Sequence, residues 1–347
     1  MKAGNNTPGR EKQLPLKSKQ IIIFYYIRLM KNMIVLSVLL IGFSSNLYAQ
    51  KIEKFFDYQW NPCEANMARF YAMIEHTDSG WLRHDYFLVE KKLHMKGLYN
   101  DSACKMANGH FYFFDTNGIL ESTGQYRDNK KDGIWFGFYS NGFYSDSTVY
   151  ASGEPTGTSL QWYKNRYLSD SSVYNTDGNA VSVSWFDDGA VSSAGRLNAL
   201  HQNHGKWQFF HRNGKLSATE IYDNGKLVDR KYFAEDSSPI TDTTDYTNCA
   251  IFPGGIPAWT KFLEKKLYFP NNYQIVNRDK AVVVVVFTVD ENGDVKDVKL
   301  QTPFHPAFDD IAVSIIKKSP KWLPAISHNR KVPYKHTQTI NFTQIRN

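Results

Sequence analysis

Cysteine is scarce and unpatterned, with Cys63, Cys104 and Cys249 the only three in 347 residues and no CxxC spacing among them. That excludes a zinc ribbon or a dithiol redox motif. It leaves open either a Cys63–Cys104 bridge with one thiol over or free thiols. Proline is nearly absent from residues 50–249, where only Pro62, Pro155 and Pro239 occur, so no stiff Pro-rich spacer runs through that stretch. An apolar run long enough to span a bilayer is missing too. The best candidate, Met33–Phe43, has 11 residues, against about 20 for a clean span. Excess charge of one sign is also lacking once the N-terminus is set aside. Residues 1–49 hold seven Lys/Arg and one acid, and the remainder carries 34 bases against 33 acids. A near-neutral body gives no reason to expect nucleic-acid binding. Within it, residues 50–249 lean acidic (20 bases, 25 acids) and residues 250–347 lean basic (14 and 8).

Catalytic signatures are missing as well: there is no nucleophile elbow, P-loop or dinucleotide fingerprint. His201-Gln-Asn-His204 has HxxH spacing but falls in a polar connection and reads as loop. Asp290, Asn292, Asp294 and Asp297 are spaced as in a calcium loop, lack its distal Glu and sit between two strand patterns, so they read as a hairpin turn. The chain is therefore expected not to be an enzyme and to use no cofactor or metal.

What is present begins with an address. Met30-Lys31-Asn32, the apolar run Met33–Phe43 and Ser44–Ala49 form a basic start, an apolar core and a small residue before a cut, the pattern of a secretory signal. Cleavage after Ala49 is expected, with Met30 as the true start. The alternative is a retained anchor with its basic end in the cytoplasm.

The middle of the chain repeats. From Gly109, aromatic Phe111 and Phe114 lie at +2 and +5 and Asn117-Gly118 at +8/+9; Gly133 gives Trp135, Phe138 and Asn141-Gly142; Gly205 gives Trp207, Phe210 and Asn213-Gly214. Gly157 and Ala180 start two degenerate copies through Trp162 and Asn165, and Trp185 and Asp188-Gly189. The starts are 24, 24, 23 and 25 residues apart, a period that marks a repeat architecture. Each unit reads as a β-hairpin, because an Asn-Gly or Asp-Gly pair tolerates the positive φ of a type I′ turn. The aromatics are expected to stack from unit to unit into one continuous core that no single hairpin could supply. With two strands per unit, five units would extend roughly 50 Å. The pattern resembles MORN-like repeats, in which glycines and aromatics are structural. Residues 50–108 read as a lead-in and divergent first repeat, 109–234 as the array and 235–249 as a polar linker.

Residues 250–347 change character. Phe252-Pro-Gly-Gly255 precedes a helix pattern over about 257–267, with Trp259, Phe262, Leu263 and Leu267 on one face. Strands are expected at Ala281–Val289 and Asp294–Leu300 around a turn at Gly293, a second helix after Pro306, and a last strand from Tyr334 to Phe342. The order is α-β-β-α-β. Together with Leu267-Tyr-Phe-Pro270 and Ser319-Pro-Lys-Trp-Leu-Pro-Ala325, these motifs resemble the TonB C-terminal domain in the form common in Bacteroidetes. The array joined to such a domain is similar to the energy transducers of that phylum. The fold class is thus mainly β plus α+β.

The resemblance implies a partner. In that family the domain grips the TonB box of an outer-membrane transporter, an extended peptide that adds a strand to the sheet edge. By position the receiving edge would be Tyr334, Lys335, His336, Thr337, Gln338, Thr339, Ile340, Asn341 and Phe342. Trp322, Phe252 and Trp259 are expected to pack rather than to touch the partner. A retained anchor would allow contact with an inner-membrane proton-driven motor. A cleaved signal would leave a soluble periplasmic scaffold or interaction protein without energy coupling.

Overall fold

The computed structural model describes residues 51–243, 248–275 and 280–344. The expected signal, its cleavage site and the Met30 start lie outside these residues. Sixteen strands, from β1 (Lys51–Phe56) to β16 (Pro239–Ile240), form one antiparallel sheet whose order is the order of the chain. The strands Phe70–Thr77, Gly80–Phe87 and Lys92–Tyr99 continue the same meander, although they lack the Gly/aromatic spacing by which the later units are read. The last strand, β16, lies within the stretch expected to be a polar linker, at Pro239 and Ile240.

Contacts between repeats recur at fixed positions. In three of the five units the residue at +6 starts the turn and sends its side chain to a main-chain carbonyl of the next hairpin: Tyr139 Oη to Trp162 O at 2.6 Å, Tyr163 Oη to Trp185 O at 2.8 Å, and the His211 ring to Phe233 O at 2.9 Å. The amide at +8 acts in parallel, with Asn165 and Asn213 donating to Asp187 O and Glu235 O at 2.7 and 2.9 Å. Asn165 and Asn213 thus sit in the turn of their own hairpin and also clamp it to its successor.

The aromatic core is not continuous, contrary to the expectation from the repeat. One cluster holds Met95, Phe111 and Trp135, and another holds Trp207, Phe209 and Tyr232. Between them the equivalent positions are hydroxyls. Where the +2 position is aromatic, the facing residue of the preceding strand is glycine: a Cβ on Gly97, Gly124 or Gly195 would fall 2.1, 2.2 or 2.1 Å from the ring of Phe111, Trp135 or Trp207. Where the +2 position is Ser159 or Ser182, the facing residue is Thr148 or Ser172, and the pair bonds at 2.7 or 3.1 Å. Each repeat solves the same packing problem either with a ring over a missing side chain or with two small bonded hydroxyls. Unpaired buried hydroxyls would be costly.

The C-terminal domain follows as α1 (Gly255–Lys266), β17 (Lys280–Val289), β18 (Val295–Thr302), α2 (Pro306–Lys317), β19 (Ala325–Ser327), β20 (Arg330–Val332) and β21 (Tyr334–Thr343). The expected α-β-β-α-β order therefore carries an additional short hairpin, β19–β20. Three-residue strands with the mixed pattern Ala-Ile-Ser and Arg-Lys-Val offer no period to read. No helix among the described residues is long and apolar enough to cross a membrane.

Candidate functional site

The C-terminal domain is organised around β17. Its run of β-branched residues suits a strand covered on both sides. Ala281, Val283, Val285, Phe287 and Val289 are buried beneath the helices, while Val282, Val284, Val286 and Thr288 face the other way and are half-buried. From α2, Phe308, Ile311, Ala312, Ile315 and Ile316 complete this core, at the spacing of one helical face. Pro306 opens α2, and the His305 ring accepts from the Ala307 N–H at 3.3 Å. Asp309, 3% exposed, accepts the Phe304 N–H at 2.8 Å, and burial pushes its carboxyl up to about 7.

The residues spaced as in a calcium loop form a turn, as read from the sequence. Asp290 Oδ1 accepts from the N–H groups of Asn292 and Asp294. Gly293 sits at φ 83°, where its carbonyl accepts the Trp322 N–H at 2.9 Å and a Cβ would fall 2.1 Å from Trp322 O. Only glycine fits both the conformation and the approach. Trp322 in turn lies 5.5 Å from Phe252 and 5.1 Å from Trp259, centroid to centroid. All three are buried, as expected of packing residues.

β21 is an edge. The strand order is β18–β17–β21, and ten consecutive pairs run from Lys280↔Thr343 to Val289↔Tyr334 without a bulge. Among the described residues no strand pairs with the outer side of β21. Its side chains alternate strictly. On the helix side, His336 packs 5.3 Å from Phe287 and 4.9 Å from Trp322, with Nε2 at 3.0 Å from Ala250 O. Burial lowers its pKa, which keeps the ring neutral and donating. Gln338 takes the Trp259 indole N–H at 2.8 Å, and its own amide donates to Thr339 O at 2.8 Å. Ile340 and Phe342 are buried. On the opposite side Lys335, Thr337, Thr339 and Asn341 are exposed. Trp259 thus does more than fill the core: its indole fixes the register of a side chain on the edge strand.

That opposite side of the sheet faces the hairpin array across a cleft of about 580 Å³, whose walls include Val286, Lys299, Lys335 and Thr337 from the domain and Phe87, His94 and Phe114 from the array. Burial brings His94 down to about 4, so it lines the cleft as a neutral ring. Ion pairs join the two parts: Lys164 with Asp297, Lys299 with Glu121 at 3.7 Å, and Arg212 with Glu291 at 2.9 Å. Exposed pairs of this kind are worth about 0–1 kcal/mol each, so they set orientation more than stability. The β19–β20 turn also enters the array. None of this inter-part contact is legible from the sequence, because residues 79 or more positions apart supply the partners.

The other sequence candidates fall elsewhere. His201 lies in a turn with Nε2 at 3.2 Å from Glu154, whereas His204 is part of the strand Asn203–Phe210, where its Nδ1 accepts the Asn224 N–H at 3.4 Å. The connection read as loop is thus half strand. Cys63, Cys104 and Cys249 form no disulfide.

Residues 267–343 match the family model described as the Gram-negative bacterial TonB protein C-terminal. The C-terminal domain is of the TonB type. The match takes in every element from β17 to β21, including α2 and the short β19–β20 hairpin, and stops short of α1 and of the array. The TonB-type family is one of interaction domains, linked to the cell envelope and to outer-membrane TonB-dependent transporters in general. A comparison with curated proteins finds no match to the chain.

Proposed function

We propose that this is an envelope protein whose TonB-type domain receives an extended TonB-box peptide of an outer-membrane transporter on the free side of β21, and so takes part in energy-coupled transport. One observation carries the reading. A ten-residue strand without a bulge is paired on one side only among the described residues. Long unpaired edges are ready templates for another chain, and proteins that do not use them blunt them with bulges, prolines or covers. Among the described residues β21 has no such device beyond the exposed Lys335. Backbone groups would provide affinity there, and Thr337, Thr339 and Asn341 would read alternate side chains.

A second reading, a periplasmic scaffold without energy coupling, is favoured by the contacts that seat the domain on the array. On that view the MORN-like array is the platform and the domain its adaptor.

Titration of the full chain with a fluorescent TonB-box peptide tests the first element. Binding should slow amide exchange at alternate residues of Tyr334–Phe342. Protection confined to β18, or no binding, would overturn the edge assignment. N-terminal sequencing of protein from fractionated cells separates the two readings: a start at Gln50 in the soluble envelope fraction favours the scaffold, and an intact start in the inner membrane favours the transducer.

A further inference from the structure

The β19–β20 turn is seated in a pocket of the array that is unusual in what it offers. The turn residues His328 and Asn329 have φ of 53° and 60°, the two-residue geometry of a type I′ hairpin. Arg330, the first residue of β20, donates through Nη1 to two main-chain carbonyls of the array, Ser192 O at 2.7 Å and Phe210 O at 2.6 Å. Its guanidinium carbon stands 5.2 Å from the ring centre of Phe186 and 5.8 Å from that of Phe209. Asn329 donates to two more carbonyls, Ser217 O at 3.3 Å and Phe233 O at 3.0 Å. The His328 ring lies flat on Phe209, with centroids 3.6 Å apart and planes 6° apart, and its Nδ1 is 2.9 Å from Oε2 of Glu220. In return Ser217 Oγ donates to His328 O at 3.2 Å.

Counted by chemistry, the pocket presents four carbonyls and one carboxylate to the turn, and one hydroxyl donor. Glu220 is 2% exposed and Ser217 fully buried. An acceptor-rich, desolvated pocket with two aromatic faces selects a cationic tip rich in donors. The planar fork of arginine suits it, because a guanidinium can bond two carbonyls while stacking on a ring. An ammonium has no flat face to offer.

We infer that the last hairpins of the array form a guanidinium-reading site, and that its resident ligand is the Ser327–Arg330 turn of the chain's own C-terminal domain. The contact is a latch. Its polar character matches interfaces within a chain that open and close, rather than a fused core. The Nε of Arg330 has no hydrogen-bond partner among the described residues, so the fit is good without being complete. The site stands independently of peptide binding at β21: the latch can be present whether or not a transporter peptide adds there.

The test uses the full chain, the variant Arg330→Ala and a head-to-tail cyclic hairpin peptide that copies Ile326–Lys331. In the variant, amides of Ala325–Val332 should exchange at least roughly tenfold faster, because two charge-assisted bonds are lost. Amides of Asn203–Phe210 should keep their protection. The peptide should bind the variant and bind the unaltered chain at least roughly tenfold more weakly, since there the pocket is already filled. Arg330→Lys should behave as Arg330→Ala. Three results would overturn the inference: unchanged exchange of the turn in Arg330→Ala, a peptide that fails to bind that variant while the array stays protected, or full retention of the latch by lysine. Should Arg330→Ala not fold, Glu220→Gln is the second variant. It keeps the pocket's shape, and it should speed exchange of the same turn; no change there would equally overturn the site.

Discussion

The hydroxyl of Tyr163 donates to the carbonyl of Trp185, 22 residues further on, at 2.8 Å. The two residues belong to successive hairpins, so this single bond ties one repeat to the next through a group that the strand ladder leaves unused. Tyr163→Phe keeps the ring and removes the donor. The expected cost is about 1–2 kcal/mol, read as a lower midpoint in urea with an unchanged slope. An unchanged midpoint would mean that water replaces the hydroxyl at no loss.

Gly195 and Trp207 make a second kind of junction. An added Cβ would fall 2.1 Å from the indole, so Gly195→Ala must displace a ring whose Nε1–H donates to Arg196 O at 2.9 Å. A loss of roughly 1–3 kcal/mol is expected from overpacking. Tryptophan fluorescence should shift to the red as the indole meets water. A variant as stable as the parent would show that the ring has room to move.

Much of this fold could be read in advance because its signals are local. The Asn-Gly pairs at 117–118, 141–142 and 213–214 mark turns, although only the glycine of each takes a positive φ, so these are not the expected type I′ turns, and the valine run of β17 announces a covered strand. The edge position of β21 could be stated before the fold was seen, through the resemblance of the C-terminal motifs. What stayed hidden depends on pairs. Thr148 and Ser159, or Ser172 and Ser182, look like lapses of the aromatic pattern until each is seen to answer the other. The strands of residues 70–99 carry little of the repeat's spacing and still join its sheet, because an open edge accepts any extended neighbour. The Ser327–Arg330 turn gives no signal at all, since its meaning lies in carbonyls of Ser192 and Phe210.

Asp309 should make stability depend on pH. Burial, the largest influence, lifts its carboxyl to about 7 from an ordinary 3.8. The folded state then holds a proton that the unfolded state releases, so this group's contribution is fully present below about pH 4 and is lost as pH rises through about 7. Asp309→Asn mimics the protonated form and can still accept the Phe304 N–H. It should match the parent at pH 4 and exceed it at pH 8, by at most about 4 kcal/mol. Equal stability of the two proteins at pH 8 would show that Asp309 ionises without cost.

The thiols should separate by reactivity. Cys249 is exposed, whereas Cys104 is half-buried and burial raises its pKa. Since the thiolate is the reacting form, a maleimide at pH 7 should modify Cys249 well before Cys104. Mass spectrometry of peptides taken at short times would check the order, and a reversal would contradict the burial of Cys104.

Every strand from β1 to β16 pairs only with its neighbours in sequence. A polypeptide with that wiring has no need to wait for its own end. Each hairpin can settle on the one before as it leaves the ribosome, because closing it costs only a short loop. The pocket that holds Arg330 is finished once residue 233 has emerged, nearly a hundred residues before its ligand is made. The array is thus in place as a template while the C-terminal domain is still being delivered. The order of synthesis makes the receptor precede the ligand within a single chain.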